Sequence, residues 1–267
     1  MQTGLAQRTV LVTGASGGIG QEIARAFAAE QARVVLHCHT HRDGAEKLQA
    51  ELGAPSIVVQ ADLTAEADVA SMFAEIQNRF GPVAHIVCNA GYWPPQNVPI
   101  RDMSLEQWQA TVDVDLTSVF LCCREFLRGQ LASVPDPSIV LIGSTAGVFG
   151  EAGHGDYAAA KSALLCGLMN SLKNEIVQIA ARGRVNTVSP GWVMTPMTTK
   201  FADDPGAVNK ALATIALNKV AAPLDIANAV VFLSSPDLAG HITGQNLVVS
   251  GGMEGRLLNP PGSGVDS

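Results

Sequence analysis

The stretch Thr9-Val10-Leu11-Val12-Thr13-Gly14-Ala15-Ser16-Gly17-Gly18-Ile19-Gly20 runs from a short apolar segment into a glycine-rich turn, and a helical pattern follows to about Glu30. Four consecutive apolar or β-branched residues bounded by turn residues read as a buried strand. Glycines at 14, 18 and 20 permit backbone conformations closed to other residues and let the chain approach a ligand where side chains would collide. The helix that follows offers unpaired N–H groups and the positive end of its dipole to a pyrophosphate. The spacing is G-x-x-x-G-x-G, not the commoner G-x-G-x-x-G. Outward from this unit, strand patterns recur at 9–12, 33–37, 56–60, 85–88, 138–142, 184–188 and 246–250. Helical patterns fill the gaps at 19–30, 44–52, 66–80, 105–129, 157–180 and 223–234. Such alternation predicts an α/β fold with a parallel sheet, whose ligand lies beyond the carboxyl ends of the strands where strand order reverses.

Composition bounds the same answer. A chain of 267 residues suits one α/β domain, and 47% hydrophobic residues with only 5% aromatic favour a core of Val, Ala, Leu and Ile, as a sheet covered on both faces requires. With no run of about 18 apolar residues and no basic-then-apolar leader, the expectation is a soluble cytoplasmic protein without a membrane partner. A net charge of −7 argues against nucleic acid as a partner. The cysteines at 38, 88, 122, 123 and 166 form no CxxC pair and no His/Cys spacing for a metal, so they read as reduced, buried thiols. The tail from Asn259 to Gly264 is of low complexity and reads as lying outside the core.

The chemistry concentrates at Tyr157 and Lys161. At i and i+4 of a helix they rise from one face as neighbours. A phenol titrates near ~10 in isolation, and a cation held close lowers that value toward the range useful for proton transfer. Tyr157 is therefore a candidate general acid/base.

In order and spacing, TGASGGIG at 13–20, Asp62, Asn89-Ala90-Gly91, Ser144, Tyr157-x-x-x-Lys161, and Pro190-Gly191 with Thr195 resemble the single-domain short-chain dehydrogenases/reductases, including 3-oxoacyl-ACP reductase-like and carbonyl reductase-like members. The resemblance runs from about Thr9 to Gly252. It implies a three-layer, Rossmann-like doubly wound fold with a mainly parallel seven-stranded sheet, one dinucleotide-binding and catalytic domain over 1–267, a substrate-covering segment at 192–222 and a flexible tail at 254–267. It also implies that Gly14, Ser16, Gly18, Ile19 and Gly20 hold the dinucleotide phosphates and that Asp62 with Leu63 meets the adenine. Asn89, Ala90 and Gly91 would pass beneath the adenosine, and Pro190, Gly191, Val193 and Thr195 would hold the nicotinamide. Tyr157 would protonate the alkoxide formed by hydride transfer to a carbonyl, Ser144 would bond that oxygen, and Lys161 would lower the tyrosine pKa and orient the ribose.

Cofactor choice turns on the end of the second strand, Leu36-His37-Cys38-His39-Thr40-His41-Arg42. NAD-preferring relatives usually carry an acidic residue there, and none is present. His39, with Thr40 and Arg42 near, could receive a 2′-phosphate, so NADP(H) is favoured and NAD(H) stays open. Gly17 stands where NADP-binding relatives are often basic.

The chain departs from the family at Asp115-Leu116-Thr117-Ser118-Val119-Phe120, where many relatives begin with asparagine. An ionised Asp115 near Lys161 would stabilise the ammonium and oppose the tyrosinate; the alternative is a structural polar group in a helix contact. The substrate is expected to be a small or medium ketone or alcohol, walled by Tyr92, Trp93, Val148, Phe149 and His154 and covered by Met194, Met197 and Phe201. The apolar succession Leu164, Leu165, Leu168, Met169 exceeds what one sheet face can cover, which predicts a homotetramer. A second class, a dinucleotide sensor of the same fold with little turnover, is favoured only by Asp115.

Overall fold

The computed structural model describes residues 2–129, 131–195 and 205–253. Seven parallel strands form one sheet: β1 (Thr9–Val12), β2 (Arg33–Cys38), β3 (Ser56–Gln60), β4 (His85–Cys88), β5 (Ser138–Ile142), β6 (Arg184–Pro190) and β7 (Asn246–Val249). Their spatial order is β3-β2-β1-β4-β5-β6-β7, so the order reverses between β1 and β4. Parallel pairing is in register there, with Val10 opposite His85 and Val12 opposite Val87.

Period-2 alternation divides each strand between two cores. Val10 and Val12 of β1 join Val34, Leu36, Val58, Val87 and Val140 on one face, and Leu11 joins Val35, Ile57, Ile86, Ile139 and Leu141 on the other. Both faces being covered explains why the central strands read as unbroken apolar runs. The first face is packed by α1 (Gly18–Ala29), α2 (Arg42–Glu51) and α10 (Pro223–Ser234), and the second by α3 (Glu66–Phe80), α5 (Ser118–Arg128) and α8 (Met169–Ile179). Phe27 anchors one core and Phe126 the other, each fully buried.

Two of the expected long helices are interrupted. The run from 105 resolves into α4 (Leu105–Val112), a π-helical turn at Asp113–Thr117, and α5; the run through 157 becomes α7 (Gly155–Ala163), a π-turn at Leu164–Leu168, and α8. Each π-turn inserts a residue and rotates the faces of the helices it joins, a device common at functional sites. The second π-turn also alters the expectation for assembly. Leu164, Leu165 and Met169 are buried within the chain, and Leu168 packs partly against the same core. That succession is covered by the protomer itself, so it supplies no reason for a further interface. Cys166, on the same turn, is exposed, unlike the four other cysteines and contrary to its reading as a buried thiol.

Short helices complete the described chain: α6 (Thr145–Phe149), α9 (Pro205–Leu212) and α11 (Pro236–Ala239). No helix among the described residues is long and apolar enough to cross a membrane. Met197, Phe201 and the tail 254–267 lie outside the described residues.

Candidate active site

The carboxyl ends of β1, β4, β5 and β6 open onto a cavity of about 170 Å³ whose lining includes Ile19, Asn89, Gly91, Ser144, Tyr157, Lys161, Pro190, Gly191, Val193 and Thr195. These residues come from five separate segments, and the topology alone brings them together. A cavity of about 210 Å³ lies away from the strand ends, lined by residues of α3 and α5, and its charged residues Glu125 and Arg128 are paired with each other at 2.8 Å.

At the crevice, the glycine-rich turn is locked to β4. Gly14 has φ +64°, and a Cβ there would lie 2.9 Å from the Ala90 Cα, so the turn and the Asn89–Gly91 loop touch backbone to backbone. The Asn89 amide donates to the carbonyls of Thr13 and Gly14 at 2.9 and 3.2 Å. The Thr13 hydroxyl accepts from the N–H groups of Asn89 and Ala90 at 2.9 and 3.0 Å. Gly20 packs directly against the Gly14 carbonyl. The first turn of α1, with Gly18 and Ile19, follows Gly17 as an N-cap without a side-chain cap and carries no acidic residue, so its N–H groups and dipole meet no competing anion from that turn. The Ser16 carbonyl accepts from the Gln21 side chain at 3.0 Å. A cradle of this shape fits a dinucleotide pyrophosphate.

His37 plays a part that the sequence reading overlooked. It is buried in β2; its Nδ1 accepts from the Gly14 N–H at 3.1 Å, and its Nε2 lies 3.1 Å from the Ala61 carbonyl. A carbonyl can only accept, so the ring is neutral with its proton on Nε2. Burial lowers its pKa to about 4. A histidine at an apolar-facing position of a strand was the available signal. Beyond it, Cys38 is buried while His39, Thr40 and Arg42 are exposed, and Arg42 Nε is held by Glu46 at 2.8 Å. Asp62 is turned to its own loop, accepting from the Thr64 N–H and hydroxyl at 2.9 and 2.7 Å, and Leu63 is buried beside it.

Tyr157, Ser144 and Lys161 converge. Ser144 is the N-cap of α6, its Oγ accepting from the Ala146 N–H at 3.1 Å, and it lies near enough to the Tyr157 phenol to favour its anion. Lys161 Nζ lies 5.6 Å from the Tyr157 ring centroid and donates to the Ile142 carbonyl at 3.2 Å. It also meets the Asp115 carboxylate at 3.0 Å, and both side chains are buried, Asp115 completely. Asp115, on the first π-turn, further accepts from the Tyr92 N–H at 3.2 Å. A Cβ at Gly91 would stand 2.6 Å from Asp115 Oδ1 and 3.1 Å from Lys161 Nζ, so only glycine lets the loop cross the pair. Asp115 thus stands within ion-pair reach of Lys161 and, at the same time, in the contact between the first π-turn and α7.

The electrostatics follow from burial and this pairing. Burial pushes the Tyr157 phenol above its ordinary value; Lys161 opposes that, Asp115 adds to it, and Ser144 opposes it. Burial would lower the Lys161 ammonium, but Asp115, then Tyr157, outweigh it and hold it above an ordinary lysine. A second buried carboxylate, also overlooked, fixes the tyrosine's helix: Asp156 accepts from the Thr111 hydroxyl at 2.8 Å, the Gln107 amide at 3.2 Å and the Tyr157 N–H at 2.9 Å. This clamps α7 to α4.

Of the expected wall residues, Tyr92 and Trp93 line the cavity, and Trp93 stacks on His154 with centroids 4.5 Å apart; Val148, Phe149 and Met194 are exposed and are not part of its lining. Val193 pairs with Ala221 in an isolated bridge, and the Gly191 N–H donates to the Val249 carbonyl at 3.0 Å, which fixes the turn after β6.

Comparison with known proteins agrees with this geometry. Residues 14–254 match the family described as enoyl-(acyl carrier protein) reductase. The chain is 38% identical over 247 residues to the 3-oxoacyl-[acyl-carrier-protein] reductase FabG of Escherichia coli K12, covering 92% of this chain and 97% of that one. It is 34% identical over 252 residues to glucose 1-dehydrogenase of Gluconobacter oxydans, covering 93% and 92%. A crystal structure of a short-chain dehydrogenase/reductase, a glucose/ribitol dehydrogenase from Brucella melitensis, superposes with a TM-score of 0.85 at 31% identity, covering 95% of this chain and 99% of that one. With the sheet order, the glycine cradle and the Ser–Tyr–Lys cluster at the strand ends, these matches place the chain in the short-chain dehydrogenase/reductase family of nicotinamide-dependent oxidoreductases.

Proposed function

We propose that the protein reduces the carbonyl of a small or medium substrate, and oxidises the corresponding alcohol in reverse, with Tyr157 as general acid/base. The observation that carries this reading is the convergence of the Tyr157 hydroxyl, Ser144 and Lys161 on one cavity at the strand ends. A nicotinamide dinucleotide, when bound, supplies or takes up the hydride. As negative charge grows on the substrate oxygen, Ser144 donates a hydrogen bond to it and Tyr157 transfers its proton. The Lys161 ammonium stabilises the phenolate left behind, which regains a proton from solvent.

The α1 turn with Gly14, Ser16, Gly18, Ile19 and Gly20 would hold the pyrophosphate, Asp62, Leu63 and Asn89–Gly91 would flank the adenosine, and Pro190, Gly191, Val193 and Thr195 would hold the nicotinamide. Between Cys38 and His41 there is no carboxylate to bond ribose hydroxyls or repel a phosphate, and His39 and Thr40 are exposed, which favours NADP(H). Ile19, Tyr92, Trp93, Ile142 and Val193 give the cavity an apolar and aromatic lining that favours a neutral ketone or alcohol. The protein is read as a cytoplasmic homotetramer; exposed Phe120 on α5 and Val177 on α8 support an interface. A sensor with little turnover is the second reading, and Asp115, which opposes the tyrosinate, is what favours it.

Absorbance of the reduced nicotinamide with a panel of ketones and alcohols tests the assignment. Tyr157→Phe should abolish turnover while dinucleotide affinity stays within about twofold, because it removes the transferable proton and little contact area. Full activity in that variant refutes it, and a higher kcat/KM with NADH than with NADPH refutes the cofactor preference.

A further inference from the structure

Tyr157 faces a cation that is not free to act as a full charge. Lys161 is closed against Asp115 at 3.0 Å with both side chains buried at the floor of the cavity, and the pair is held from several sides. The Ile142 carbonyl holds the ammonium, the Tyr92 N–H holds the carboxylate, and the Gly91 backbone crosses close against both. An isolated ammonium 5.6 Å from a phenol ring would draw out its proton strongly. Paired with a carboxylate, it presents a dipole, and much of that pull is cancelled.

We infer that Asp115 is a positioning residue for the reaction: its carboxylate neutralises Lys161, keeps Tyr157 in its proton-donating form through neutral pH, and confines alcohol oxidation to alkaline solution. This rests on the assignment of Tyr157 as proton donor. The other groups that face the phenol do not restore the lost pull. From β4 the Cys88 thiol is buried, and its bond to Cys123 and burial keep it neutral. Next to the tyrosine on α7 stands Asp156, and from the loop before α7 come Glu151 and His154, the latter two 3.8 Å apart. Glu151 adds to the effect of Asp115, and the Asp156 carboxylate is turned to Thr111 and Gln107 of α4. Burial itself and Asp115 act on Tyr157 in the same direction.

The chain has two tyrosines, Tyr92 and Tyr157, so Tyr92→Phe leaves Tyr157 as the one phenol. Its ionisation can then be followed in the near ultraviolet without any substrate. In that background Tyr157 should titrate above the ordinary phenol value of ~10. Adding Asp115→Asn should move the titration down by about one unit or more, and the basic arm of the alcohol-oxidation profile should move with it. A Tyr157 that titrates at or below the ordinary value with Asp115 in place overturns the inference, and that measurement needs no Asp115 variant to fold. So does a titration that Asp115→Asn leaves unmoved. A phenolate that shifts while the activity profile stays in place confirms the Asp115–Tyr157 coupling and refutes instead the assignment of Tyr157 as proton donor.

Discussion

Removing Lys161 should destabilise the protein far more than removing Lys161 and Asp115 together. Two unit charges 3.0 Å apart attract by about 5 kcal/mol at an effective dielectric constant near 20. Much of that attraction offsets the desolvation of both groups, so the pair adds little to stability against an apolar replacement, but an orphaned buried charge costs about 3–5 kcal/mol. Lys161→Met should therefore lower the unfolding free energy by about 3 kcal/mol near neutral pH, a drop of about 1 M in the urea midpoint. Lys161→Met with Asp115→Asn should recover most of it, since neither charge remains. The pH dependence gives an independent sign. Burial raises the folded pKa of Asp115 above its unfolded value. A group so shifted contributes stability that is present below the unfolded pKa and lost as pH rises through the folded one. Without Lys161 that shift grows, so Lys161→Met should regain stability on acidification from neutrality toward about pH 4, and the double variant should not. Urea unfolding at fixed protein concentration over that range is the assay. Single penalties that add in the double variant to within about 0.5 kcal/mol would refute the charge pair, as would a pH-independent deficit in Lys161→Met.

Gly14→Ala forces a side chain into a left-handed conformation and against the Ala90 backbone, so dinucleotide affinity should fall about tenfold or more, read by fluorescence titration. Neutral, buried His37 has its pKa depressed from 6.5 to about 4, so it contributes stability that is present above pH 6.5 and lost as pH falls through 4. That contribution is roughly 3 kcal/mol; His37→Gln should flatten the decline of unfolding free energy across that window, and an unchanged slope would count against the assigned tautomer. Light scattering should return a tetramer at micromolar concentration; a stable monomer would contradict the interface through α5 and α8.

Local pattern determined most of the fold. Each strand range was legible to within two residues at either end, because a sheet buried on both faces requires apolar runs such as Val10-Leu11-Val12, and the glycines and Pro190-Gly191 mark where those runs turn. The Tyr157–Lys161 pair was legible because a helix converts a spacing of four residues into adjacency. The π-turns were not: they preserve an apolar pattern while rotating it, and Leu164, Leu165 and Met169 at the second one are buried inside the protomer. Nor was the work of His37 or Asp156, whose partners Gly14, Ala61, Thr111 and Gln107 lie between 23 and 49 positions away. Sequence placed an acidic residue at 115 and could say what its charge would do if it stood near Lys161. Only the tertiary structure decided that it does, because a direct contact between residues 46 positions apart is set by how the first π-turn and α7 pack, not by any periodicity along the chain.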